Sequence, residues 1–91
     1  MHPEEIKQMI LDLLREICPD AEIEAIEPGV SFRDQFEFDS IDFLNLVLAT
    51  EKILDLHIPE IDYPRLSSLD GCIGYLVPKV AEARNPDRRL A

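Results

Sequence analysis

Apolar residues in this chain recur at helical spacing, and no stretch alternates with the period of two that a half-buried strand needs. A first helix is predicted from about Pro3 or Glu4 to Ile17, where Ile6, Met9, Ile10, Leu13, Leu14 and Ile17 give the i, i+3, i+4, i+7 pattern of one buried face. Pro3 suits a first turn, Glu4 and Glu5 complement the positive helix N-terminus, and Pro19 marks the stop. A second helix is predicted from Ser40 to about Leu56. Ile41, Leu44, Val47, Leu48 and Leu54 read as its core face, with Phe43, Leu46 and Ile53 at least partly outside it. A helix apolar on more than one side is either central in a bundle or keeps an apolar patch for a partner.

His57-Ile58-Pro59 ends that helix, and residues 60–66, with Pro64 among them, have room only for a short turn or one-turn helix. Ser67 or Ser68 then caps a last helix whose apolar face is Leu69, Ile73, Leu76, Val77 and Val80. Ser67 with Asp70 resembles a capping box, and Pro78 is expected to kink this helix or shorten its regular part. Residues 20–38 form a long first connection, with a turn at Pro28-Gly29. A connection of that length needs anchors, which Ile23, Ile26, Val30, Phe32, Phe36 and Phe38 supply. The expected architecture is all-α: three main helices, a short fourth element and a long first loop, in one domain over residues 1–83 with a solvated tail over 84–91.

Ninety-one residues are enough for one modest core, and the net charge of −10 sets its surface. Such a chain repels nucleic-acid phosphates and anionic lipid heads and favours partners with basic docking surfaces. No apolar stretch is long enough to cross a membrane, and no secretory signal is visible. Cys18 and Cys72 are far apart and in no metal-ligand spacing, so free, largely buried thiols in a reducing cytoplasm are expected. No metal site is expected. An EF-hand loop beginning at Asp39 would need Gly and Glu where the chain has Leu44 and Thr50. No catalytic residues are identified: Ser40 and His57 are separated by a helix of roughly 25 Å at 1.5 Å per residue, beyond hydrogen-bond reach.

The stretch Phe38-Asp39-Ser40-Ile41-Asp42-Phe43-Leu44 puts a serine between acids where an irregular segment gives way to a helix. A hydroxyl there either caps the helix or carries a group that the helix end holds. The free N–H groups and positive dipole end make a helix N-terminus a seat for phosphate.

Asp39-Ser40-Ile41-Asp42 resembles the Asp-Ser-Leu motif of acyl carrier proteins. The resemblance runs from about Ile6 to Leu76. It takes in Ser31-Phe32, Leu46-Val47, Glu51, Ile58-Pro59 and Ser67-Ser68-Leu69. It implies a small helical bundle without catalytic activity of its own. Ser40 would be esterified with 4′-phosphopantetheine, moved from coenzyme A by a phosphopantetheinyl transferase, and the arm would carry acyl groups as thioesters. Asp39 would cap the helix or face the transferase. Acyl-loading and acyl-transferring enzymes would dock on Asp42, Phe43, Asn45, Leu46, Glu51 and Ile53, within an acidic side that also takes in Asp55, Glu60 and Asp62. Asn45 stands where Glu is frequent, Phe43 and Ile53 where polar residues are common, and Lys52 adds a positive charge, which implies a specialised free-standing carrier with a more apolar docking helix. The resemblance also aligns Leu44, Val47, Leu54, Ile58, Tyr63, Leu66, Cys72 and Leu76 with the interior. A monomer is expected. An aminoacyl or peptidyl carrier and an unmodified adaptor that binds a protein partner are the alternatives.

Overall fold

The computed structural model describes residues 1–83; the tail expected at 84–91 lies outside the described residues. Three helices of fifteen residues each dominate: α1 Pro3–Ile17, α3 Ser40–Leu54 and α4 Leu69–Ala83. A four-residue helix, α2 Phe32–Gln35, and two 3₁₀ segments, Ile23–Ala25 and Glu60–Leu66, complete the all-helical order. The expected architecture is found, with the addition that the long first connection is itself partly helical.

α1 packs against both α3 and α4, and the 3₁₀ segment Glu60–Leu66 packs against α4. Of the face written into α1, Ile6, Ile10, Leu13 and Leu14 are buried, joined by Leu11, while Met9 and Ile17 are half-buried. They meet Leu46 and Val47 of α3 and Leu69, Cys72, Leu76 and Val80 of α4 in one cluster. Both cysteines are free and buried.

Side-chain bonds to the backbone organise the first connection. The Gln35 amide accepts from the Glu27 N–H at 2.8 Å and donates to the carbonyls of Glu27 and Val30 at 3.0 and 2.9 Å. The segment is stitched to the start of α4, since the Phe32 N–H donates to the Ser67 carbonyl and the Asp70 N–H to the Pro28 carbonyl, both at 2.9 Å. Ile23, Phe32 and Phe38 are its buried anchors, whereas Ile26, Val30 and Phe36 are only half-buried.

Three details differ from the sequence expectations. α3 ends at Leu54 rather than Leu56, because Asp55 turns into the left-handed region at φ 51° and ψ 54°, a conformation short polar side chains tolerate. The cap of α4 is Ser68, whose hydroxyl accepts from the Gly71 N–H at 3.0 Å. The Ser67–Asp70 box is not formed, because the Asp70 N–H is taken by Pro28. Of the two effects expected of Pro78, a shortened helix is not seen, since α4 continues to Ala83.

Candidate functional site

The start of α3 is built by a reciprocal pair. Asp39 is the N-cap, and its carboxylate accepts from the Asp42 N–H at 2.8 Å. The Asp42 carboxylate reaches back to accept from the Asp39 N–H at 3.1 Å. Together they satisfy two donors that a helix start otherwise leaves open. Ser40 is therefore the first helical residue and not the cap. Its side chain is exposed, and its hydroxyl makes no hydrogen bond among the described residues. The first N–H of α3 with a backbone acceptor is that of Phe43, which donates to the Asp39 carbonyl at 3.0 Å.

A run of aromatic rings includes residues on both sides of Ser40 in the sequence. Phe32, Phe36 and Phe38 form a triangle with centroids 5.4 to 6.0 Å apart. Phe38 meets Phe43 edge-on at 6.3 Å, and Phe43 meets Tyr63 at 5.9 Å, so the rings continue from the first loop across α3 to the 3₁₀ segment. Phe43 lies one turn after Ser40, on a neighbouring strip of the helix surface. Beside it opens a cleft of about 330 Å³ between Phe38, Phe43, Tyr63, Arg33 and the serines Ser31 and Ser67. On the opposite flank, Cys18 donates weakly to the Glu37 carbonyl at 3.8 Å. Burial, and then the carboxylates of Asp42 and Asp39, push its thiol pKa up.

The remaining candidate residues separate. Asp42, Phe43, Asn45 and Ile53 reach the surface, the first two half-buried and the last two exposed. Leu46, expected to face a partner, is 2% exposed and sits in the core. Leu44, expected inside, is 44% exposed, and Ile41 and Leu48 are likewise exposed. The buried side of α3 holds Leu46, Val47 and Thr50, with the half-buried Phe43 and Leu54 on the same side toward its two ends. It is rotated from the expected face and takes in Thr50, whose buried hydroxyl is satisfied by donating to the Leu46 carbonyl at 2.8 Å. Ile41, Leu44 and Leu48, at i, i+3 and i+7, form an outward apolar stripe bordered by Asn45 and Lys52. Of the other interior candidates, Val47, Ile58, Leu66, Cys72 and Leu76 are buried, and Leu54 and Tyr63 are half-buried.

Glu51 has a task inside the fold. Its carboxylate accepts from the Ile58 N–H at 2.8 Å and lies 3.2 Å from His57 Nδ1. It thereby fixes the turn after α3, which seats the fully buried Ile58. Asp62, in the acidic stretch after that turn, accepts from the Tyr75 hydroxyl at 2.7 Å. Among the described residues, no group of His, Cys, Asp and Glu side chains is arranged to hold a metal ion. No described helix is long and apolar enough to cross a membrane.

No protein-family model matches the chain. Among curated proteins it is similar to the acyl carrier protein of Bdellovibrio bacteriovorus, 33% identical over 79 residues that cover 87% of this chain and 94% of that protein. The acyl carrier protein of Rubrobacter xylanophilus is 29% identical over 74 residues, covering 78% and 91% of the two chains. That of Cyanidioschyzon merolae is 30% identical over 74 residues, covering 78% and 81%.

Proposed function

The chain belongs to the acyl carrier protein family, and we propose that its Ser40 hydroxyl carries a 4′-phosphopantetheine arm on which acyl groups travel as thioesters. The observation that supports this most is the reciprocal cap of Asp39 and Asp42. With both carboxylates engaged at the helix start, the exposed Ser40 hydroxyl is left without a structural task. The N–H groups of Ser40 and Ile41, which lie before the first backbone acceptor of α3, are the donors that would hold a phosphodiester.

A phosphopantetheinyl transferase would supply the group from coenzyme A. The Ser40 oxygen bonds to the phosphorus on the pantetheine side of the diphosphate, and the P–O bond to the adenosine bisphosphate breaks. The adenosine bisphosphate leaves, and the hydroxyl proton passes to a base on the transferase. Once attached, the arm supplies a terminal thiol for thioester formation; this chain presents the arm and is recognised by partners.

In this reading residues 1–83 are the carrier domain. Acyl-loading and acyl-transferring enzymes approach the outward stripe of Ile41, Leu44 and Leu48, with Asp42 and Asn45 at its borders. Apolar contact and Lys52 make this a surface for dedicated partners more than for enzymes that read carboxylates alone. Two free buried thiols fit a reducing cytoplasm. Intact mass after incubation with coenzyme A, Mg²⁺ and a broad-specificity transferase tests the attachment. The expected gain is one phosphopantetheine in the native chain and none in Ser40→Ala. A gain in the variant would place the arm elsewhere, and no gain in folded native protein would favour the unmodified adaptor.

A further inference from the structure

A second surface lies away from Ser40, where α1 runs beside the end of α3. A groove of about 640 Å³ opens there, with Met9, Leu13 and Ile53 among its apolar residues. Ile53 is 56% exposed. Glu4, Glu5, Asp12 and Glu16 stand along it, Met1 with the chain's amino terminus also lines it, and none of its lining side chains is that of Lys, Arg or His. Met9, Asp12, Leu13 and Glu16 follow at i, i+3, i+4 and i+7, so the groove tracks one face of α1. From Glu4 to Glu16 it extends roughly 18 Å at about 1.5 Å per residue, the length of a three-turn helix. The nearby cation Arg15 is held by Asp12 at 2.7 Å and by Glu24 of the first connection at 3.3 Å.

An apolar floor with carboxylates on its rim is complementary to a helix that carries an apolar stripe between rows of Lys or Arg. We propose that this groove docks a basic amphipathic helix of a partner protein while Ser40 and the stripe on α3 stay free. Ser40 and Ile53 are near opposite ends of α3, about 20 Å apart along its axis at roughly 1.5 Å per residue. Leu44 and Ile53 are about two and a half turns apart at roughly 3.6 residues per turn, which sets them on opposite sides of the helix. One protein can hold the chain by the groove while another reads the Ser40 end.

The test is an NMR titration of the isotope-labelled full chain with a synthetic Leu–Lys amphipathic helix of about three turns, beside the same stripe flanked by Glu. The Leu–Lys peptide is expected to shift the amides of Met9, Leu13 and Ile53 ahead of those of Ile41, Leu44 and Leu48, and the Leu–Glu peptide to shift none. Ile53→Lys should weaken binding about tenfold, from the loss of one buried apolar side chain and the added charge. Glu4→Lys with Glu16→Lys should also weaken it, Leu44→Lys should leave it unchanged, and Ser40→Ala should bind like the native chain. The amide spectrum of each variant checks its fold. Shifts centred on the α3 stripe, or spread over every acidic residue and erased by moderate salt, would overturn the proposal. Groove shifts that grow with protein concentration alone would overturn it in favour of a second copy of this chain.

Discussion

Asp39 and Asp42 cap one another across the first turn of α3, each carboxylate accepting from the other residue's N–H, at 2.8 and 3.1 Å. Ser40, between them, is not needed to hold the helix. Asp39→Ala should therefore cost about 1 kcal/mol, the usual value of an N-cap, and Asp39→Ser should recover most of it. Ser40→Ala should change stability by less than about 0.5 kcal/mol, as for a surface residue without a structural partner. Urea midpoints of the three variants at constant slope check this ordering. A large loss in Ser40→Ala would mean that the serine has a structural role after all.

The two leucines at 44 and 46 are close in sequence and opposite in consequence. Leu46 is 2% exposed in the core and Leu44 is 44% exposed. Leu46→Ala should destabilise by about 2–5 kcal/mol, whereas Leu44→Ala and Leu48→Ala should stay within about 0.5 kcal/mol. Thermal unfolding of the three single variants decides it. Comparable losses at 44 and 46 would restore the face that apolar periodicity alone suggests.

That pair also marks where sequence reading stopped. α1 was legible because its apolar residues occupy one stripe with Pro at both flanks, and its predicted limits agree with Pro3–Ile17. α3 was recognisable as a helix but not in rotation, because its apolar residues lie on more than one side and a threonine completes the buried one. The placing of Ser40 at a helix start was readable from local residue types, whereas the cap itself was open between the Ser40 hydroxyl and Asp39 until the Asp39–Asp42 pair decided it. The task of Glu51 was not, because its partner Ile58 comes within reach only after Asp55 has turned the chain into the left-handed region. The order in residues 20–38 was hidden for a similar reason: Gln35 satisfies backbone groups of Glu27 and Val30, and no periodicity records such a bond.

Two glycines of α4 should respond oppositely to the same substitution. A Cβ on Gly71 would collide with the Arg65 carbonyl at the end of the 3₁₀ segment, while one on Gly74 would meet nothing within 4 Å. Gly71→Ala should destabilise by about 1–3 kcal/mol, since backbone must move to admit the methyl. Gly74→Ala should stabilise by roughly 0.5–1 kcal/mol through helix propensity. Denaturant unfolding of both variants checks the signs. A neutral Gly71→Ala would mean that the segment yields at little cost.

Cys72 makes the fold sensitive to alkali. Its Sγ donates to the Leu66 carbonyl at 3.4 Å, and burial pushes the thiol from its ordinary value of 9.0 up to about 12. The folded state thus binds the proton more tightly than the unfolded state does. This contribution to stability is complete below pH 9.0 and is lost as the pH rises from there toward about 12. Within that window each pH unit costs about 1.4 kcal/mol, because the unfolded thiol ionises and the buried one does not. Tyr75, whose pKa is raised by burial first and by its bond to Asp62 second, adds loss of the same sign at higher pH. The Cys72→Ala variant isolates the thiol. It should start less stable at pH 8 and then lose less than the native chain between pH 9 and 11. Parallel pH profiles for the two proteins would show that Cys72 ionises as readily folded as unfolded.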